Sequence, residues 1–313
     1  MTCLRSPEAE RADPLLHRQE WTLEGARTWS AFVNEARRLW APGPAAFDRV
    51  LWHGGLQFDR QPLDPDQPPL ELAAGTRVIG WGFEREPEVP AVGPELVLFD
   101  ASGLVAVNKP AWLPMQRTRA SVRHSLEGEL RRLLGCPSLA AVHRLDRQTS
   151  GVALFARTTA AASHLQRSLE RRRVHKRYLA WVSPPPAWRG CRIGGWMRRA
   201  HHTRRPCFAL DARPGDEGRW SETRASVSEL QDDRALLEVN PISGRTHQIR
   251  VHLAALGHPV VGDDLYGPAY EASAPHADGR VQLHASNIVL NLPNDPKRTE
   301  IEAPPPPDFI PLK

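Results

Sequence analysis

The sequence predicts an α+β protein with a small N-terminal domain and a larger C-terminal one, and three observations carry that expectation. Apolar runs of strand length alternate with stretches of helical periodicity along 313 residues that are 41% hydrophobic, enough to bury a core. Residues 1–97 hold ten arginines, no lysine and fifteen acidic residues, a net charge of −5 that leaves +10 for the rest of the chain. Between these parts lies EREPEVPAVGP, charged and proline-rich, which reads as a linker and puts a boundary near residue 92, hence domains 1–92 and 93–313.

In the first domain, LEGARTWSAFVNEARRLW (23–40) spaces Trp29, Phe32, Ala36 and Leu39 at three- and four-residue steps, the mark of an amphipathic helix. A small β section is expected next: RVLW, a turn at HGG, LQF, and a third run at RVIGWGF. Past the linker, ELVLF and LVAVN flank DASG and predict a hairpin that delivers the chain to Lys109 and Pro110. A helix is expected around SLEGELRRLLG. The run GVALFA is apolar at every position except Gly151, as in a strand covered on both faces.

Thr158 or Thr159 then caps a helix through TAAASHLQRSLERRR, with Ala161, Leu165 and Leu169 at four-residue steps. VHKRYLAWV suits a strand with Lys176, Tyr178 and Ala180 on one face and Arg177, Leu179 and Trp181 on the other. PISGRTHQIRVHLAALGHPVVGDDLYG (241–267) reads as a turn and a helix, with Thr246 as N-cap, Ile249, Leu253 and Leu256 as an apolar stripe, and Gly257 at its end. His247 and Arg250 then share the face away from that stripe. The proline run APPPPDF reads as an extended tail.

Composition excludes several classes. No segment approaches the roughly 18 apolar residues of a membrane span, and MTCLRSPEAERADP lacks the apolar core of a signal peptide, so a cytoplasmic protein is expected. The four cysteines are scattered and never paired as C-x-x-C, which fits reduced thiols. Cys191, His201, His202 and Cys207 cluster in sequence but lack the paired spacing of a zinc site, so no metal is expected. The basic C-terminal part suits a polyanionic partner, nucleic acid first.

The stretch HRLDRQTSG (143–151) sets one acid, Asp146, between two arginines before a polar turn. Taken alone, a helix arginine such as Arg250 is most often solvated, and a strand tyrosine such as Tyr178 most often packs in a core. If Arg250 faces Asp146, however, the guanidinium keeps the carboxylate ionised and oriented, and such a carboxylate serves as a nucleophile. Tyr178 then offers a ring to stack on a nucleobase or a hydroxyl to move a proton. The clusters RSLERRRVHKRY and MRRAHHTRR set aromatics beside basic runs, a pattern suited to phosphate contacts.

HRLDRQTSG with GVALFA after it, NKPAW before it, HKRYLA after it, ISGRTHQIRVHLAALGHPVVGDDLYG, and LHASNI near the end resemble the ordered motifs of the RluA-type pseudouridine synthases over roughly residues 93–308. The resemblance implies a largely antiparallel mixed sheet cleft by an RNA-binding groove, acting on structured RNA, ribosomal or transfer, without cofactor or metal. It implies Asp146 as nucleophile, Tyr178 packed against the flipped base and handling the carbon 5 proton, and Arg250 paired with Asp146. Arg144 is expected to enter the RNA stack or hold the flipped nucleotide, as flipping is required for a base to turn about its own sugar.

Arg245, His247, Lys109, Arg173, Lys176 and Arg177 are the further expected RNA contacts, with a supporting role open for Lys109, Arg245 and His247. Two departures from the family pattern, Trp112 after NKPA and Trp220 with Ser221, bear on substrate fit. The N-terminal part resembles the small RNA-binding module of many relatives, here acidic. A monomer is the default expectation. The competing reading is an RNA-binding or ribosome-assembly protein on this fold without turnover; a glycoside hydrolase needs a second carboxylate opposite the first.

Overall fold

The computed structural model describes residues 4–5, 16–41, 43–59, 61–63, 67–83, 90–200, 207–213, 218–263, 265–267, 280–293 and 297–309. The chain divides into two compact units, Met1–Val89 with Gln116–Gly128, and Pro90–Met115 with Glu129–Lys313. The division is thus not a single cut: the segment Gln116–Gly128 groups with the N-terminal unit.

The first unit contains β1 (Leu4–Arg5), β2 (Leu16–Leu23), β3 (Arg27–Thr28), α1 (Trp29–Leu39), α2 (Pro44–His53), β4 (Leu56–Phe58), β5 (Gln61–Pro62), β6 (Glu71–Leu72) and β7 (Arg77–Phe83). Its main sheet runs β1-β2-β7-β4-β5, all antiparallel. The helix expected at 23–40 begins later, at Trp29, because Thr28 accepts the Ala31 amide as N-cap and Leu23 ends a strand. RVLW, expected as a strand, is helical. Pro44 opens that helix, Gly54 closes it in the left-handed conformation, and Ala46, Phe47, Val50 and His53 are buried at helical spacing. Short apolar runs do not separate the two states by periodicity alone. Trp21, Phe32, Trp40, Phe47 and Val50 form the core.

The second unit holds β8 (Val97–Ala101), β9 (Leu104–Lys109), all of α3 (Leu126–Leu133) but its first three residues, β10 (Ala140–Ala141), β11 (Ser150–Ala156), α4 (Thr159–Glu170), β12 (His175–Val182) and β13 (Gly190–Arg199). It ends with β14 (Phe208–Asp211), β15 (Arg219–Leu230), β16 (Ala235–Pro241), α5 (Gln248–Ala255), β17 (Leu283–Asn291) and β18 (Arg298–Glu302). These strands form an 11-stranded sheet in the order β14-β13-β15-β16-β12-β17-β11-β9-β8, with β10 on β11 and β18 on β17. Among the described residues only β11 and β17 run parallel, so the sheet is mixed and largely antiparallel.

Several local expectations hold. DASG turns between β8 and β9, with Ser102 and Gly103 at positive φ. GVALFA is a wholly buried strand, and Thr158 caps α4 by accepting from Ala161. The tail does more than extend: Phe309 packs on Trp181 and Leu236, and Asp308 pairs with buried Arg280. What positions the site is sheet order. β17 lies between β11, which follows the Asp146 loop, and β12, which carries Tyr178. The β12–β17 register shifts between Arg177 and Leu179, a bulge beside Tyr178 of the kind that re-aims a side chain.

Candidate active site

Residues 142–149 are irregular between β10 and β11, and the chain holds this loop from several sides. Lys109, fully buried, donates to the carbonyls of Pro110 at 2.8 Å, Arg147 at 3.0 Å and Thr149 at 2.8 Å. Gln148 accepts the Val281 amide, and His143 accepts the Leu154 amide at 3.0 Å. Thr149 donates back to the Asp146 carbonyl at 3.0 Å. The turn must then enter β11 against β17. Gly151 does so at φ +110°, and any β-carbon there would fall on the Ala285 backbone.

Asp146 is left partly exposed at the floor of a pocket of about 460 Å³, whose lining includes Arg144, Arg172, Lys176, Tyr178, Arg245 and His247. Arg250 donates to it at 3.5 Å from Nη1, and His247 Nε2 stands 3.9 Å from Oδ1. Arg250 is itself buried and has a closer partner. Its Nε and Nη2 donate to the two oxygens of Asp263 at 2.8 and 2.7 Å, and its guanidinium lies over the Tyr266 ring. Asp263 also accepts the amides of Leu265 and Tyr266. Its carboxyl lies below its usual range although burial opposes this, because Arg250 and those hydrogen bonds favour the charged form.

Tyr178 is buried on the same face as Lys176, both lining the pocket, while Leu179 packs with Trp181 on the other. Burial, then the neighbouring Asp146 charge, raises the Tyr178 phenol well above its ordinary pKa. Among the described residues no group of three or more His, Cys, Asp or Glu side chains is placed to hold a metal ion. His201 and His202 lie outside the described residues.

Residues 103–255 match the RNA pseudouridylate synthase family. Over 273 residues the chain is 32% identical to the ribosomal large subunit pseudouridine synthase C of Vibrio vulnificus (strain CMCP6), covering 82% of this chain and 82% of that protein. It belongs to the RluA-type pseudouridine synthases. It is 35% identical over 202 residues to the dual-specificity RNA pseudouridine synthase RluA of Vibrio cholerae serotype O1, covering 63% of this chain and 77% of that one. Among solved structures, human RNA pseudouridylate synthase domain containing 1 superposes with a TM-score of 0.55 at 30% identity, over 68% of this chain and 85% of that one. The synthase therefore isomerises uridine to pseudouridine in RNA.

The structure brings Asp146, Tyr178, Arg250, Arg144, Lys176, Arg245 and His247 to one pocket of the synthase, and separates three other expected RNA contacts from it. Lys109 is fully buried and its three hydrogens go to backbone carbonyls, so it holds the loop and faces no phosphate. Arg173 is exposed outside the lining, where Arg172, at φ +55°, takes the place instead. Arg177 projects on the opposite face of β12, 3.8 Å from Glu238 and 3.6 Å from Glu300.

Thr246 is not the N-cap of α5. His247 occupies that position in the left-handed conformation, and Gln248 reaches back to accept the Arg245 amide. The stripe is incomplete, since Leu256 is exposed while Arg250 is buried. Trp112 does not line the pocket; its ring receives the Arg147 guanidinium at 5.0 Å. Trp220 packs edge-on against Trp196, and Ser221 is buried against His252. Sequence reasoning missed Asp263, Tyr266 and Arg172. The signal for the first two was the polar turn after Gly262, which has no partner until the fold sets it beside α5.

Proposed function

We propose that Asp146 is the nucleophile of a uridine isomerisation in structured ribosomal or transfer RNA. The single observation that carries this reading is a carboxylate left accessible at the floor of a cationic pocket, between a buried guanidinium and an imidazole. A base inside an RNA helix cannot reach such a floor, so the nucleotide must flip, and Arg144 at the exposed rim is suited to hold it out or fill its place. Asp146 attacks the nucleotide, the glycosidic bond breaks, the base turns, and carbon 5 bonds to the ribose as the carboxylate leaves. Atoms balance without a co-reactant: carbon 5 gives up its proton, which exchanges with solvent, and N1, freed from the ribose, takes one up.

Tyr178 is the surface for the turned uracil. Its phenol keeps its own proton at neutral pH, so it handles the carbon 5 proton as a relay rather than as a standing phenolate. Ribosomal RNA is the first substrate to test, because the relative that matches over most of both chains is named for the ribosomal large subunit. The test uses purified Asp146→Asn protein and RNA tritiated at carbon 5 of uridine. Tritium release should vanish while RNA affinity stays within about threefold, as most affinity comes from phosphate contacts. Retained release would falsify the nucleophile assignment, and mapping pseudouridines in a strain lacking the gene identifies the RNA.

A further inference from the structure

The group facing Asp146 opposite Arg250 is unusual. His247 sits at φ 57°, ψ 16°, a left-handed conformation that is unfavourable for a side-chain-bearing residue and that its surroundings must impose. Those surroundings are two aromatic rings: Phe208 and Tyr266 meet the imidazole edge-on, with centroids 5.9 and 5.7 Å away. The polar contacts are equally directed. Tyr266 Oη accepts the Phe208 amide at 3.1 Å and lies 2.8 Å from His247 Nδ1. The amide can only donate and takes one lone pair, and burial keeps the phenol protonated, so the phenol has a hydrogen to give to Nδ1. In that arrangement Nδ1 is the acceptor and the ring hydrogen stands on Nε2, on the side of Asp146 Oδ1.

We propose that His247 is a positioning residue for Asp146: a neutral imidazole, locked by Tyr266 in the Nε2–H tautomer, that turns the carboxylate so Oδ1 faces the ring and Oδ2 faces Arg250. The 3.9 Å separation is too long for a hydrogen bond in the free enzyme, and the proposed role requires it to close when substrate binds. Neutrality matters to the design. Arg250 is already engaged along its Nε–Nη2 edge by Asp263, so Asp146 meets a guanidinium whose charge is largely committed elsewhere. A second full cation at His247 would clamp the carboxylate in an ion pair and blunt its attack. Burial holds the imidazole neutral against the pull of Asp146 and Asp263, with Arg250 and Arg144 acting in the same direction as burial.

This inference rests on Asp146 as nucleophile, and its test separates the two. In full-length protein labelled with nitrogen-15 at histidine, long-range proton–nitrogen spectra at pH 7 should show His247, identified by its loss in His247→Gln, as neutral with the hydrogen on Nε2. Tyr266→Phe should release that preference into a tautomer mixture. In the tritium assay His247→Ala should lower kcat about tenfold with KM within about twofold, and His247→Gln, which keeps a neutral N–H, should recover to within about threefold of wild type. A ring hydrogen on Nδ1, a doubly protonated ring, an unchanged kcat in His247→Ala, or a glutamine variant no better than alanine would each overturn the proposal. The spectra need no turnover, so they stay readable even where Asp146→Asn proves active and the nucleophile reading fails.

Discussion

Arg250 is bound more closely by Asp263 than by Asp146: two bonds of 2.7 and 2.8 Å hold it from one side, and one of 3.5 Å reaches the pocket. Asp263 thus sets both the place and the effective charge of the guanidinium. Asp263→Asn should destabilise the protein by about 3 kcal/mol, because it leaves a buried cation without its partner. In the protein that folds, Arg250 should swing onto Asp146, and kcat should fall with KM little changed. Urea unfolding and single-turnover tritium release measure the two effects; wild-type values for both would refute the assignment.

Lys109 separates loop support from RNA binding. Lys109→Met removes three donors and leaves one buried and two part-buried carbonyls unserved, for a loss of roughly 3 kcal/mol. Turnover should drop as the Asp146 loop loosens, while RNA affinity in filter binding stays within about twofold, since no phosphate contact is lost. A large loss of affinity at normal stability would return Lys109 to the RNA surface.

Arg172 and Arg177 offer the complementary contrast. Arg172→Ala should weaken RNA binding several-fold and reduce the slope of log affinity against log salt by about 0.7–0.9, the signature of one lost phosphate contact. Arg177→Ala, on the far face beside Glu238 and Glu300, should leave both unchanged. Equal effects from the two variants would contradict the geometry.

Gly151→Ala should be among the most damaging single-methyl changes in the chain. It demands φ +110° of an alanine and drives its β-carbon into the Ala285 backbone where β11 pairs parallel with β17. A cost of about 3 kcal/mol or more is expected. Thermal melting and soluble yield report it, and a melting temperature within a degree or two of wild type would argue against the close approach.

Stability should fall on mild acidification, and His252 gives the reason. Ser221 donates to the Gly195 carbonyl, so His252 must donate from Nε2 to Ser221, and its buried Nδ1 meets no partner among the described residues. Burial lowers its pKa to about 4, below the ordinary 6.5, and buried His143 shifts likewise to about 4. The unfolded chain then binds more protons between these values. The stabilisation is complete above pH 6.5 and is lost as pH falls toward 4, by up to about 3 kcal/mol for one such group. Urea midpoints at pH 7, 5.5 and 4.5 should decline in that order, and His252→Asn should flatten the decline.

The local code was legible wherever a residue's state depends on near neighbours. Thr158 caps α4, DASG turns a hairpin, and GVALFA forms a buried strand because capping, turn chemistry and apolar runs act over a few residues. RVLW failed because four apolar-rich residues satisfy either period, and Pro44 and Gly54 decided for the helix. The motifs around Asp146, Tyr178 and Arg250 named the residues of the pocket from sequence alone. Only the tertiary structure decided their partners. Asp263 and Tyr266 are thirteen or more residues from the groups they hold, Lys109 is thirty-eight residues from Arg147, and Arg177 sits next to Tyr178 in the chain but on the other side of the sheet. Which cation is buried, neutralised or free to meet RNA follows from sheet order and from burial, and these depend on contacts between distant segments that no local pattern encodes.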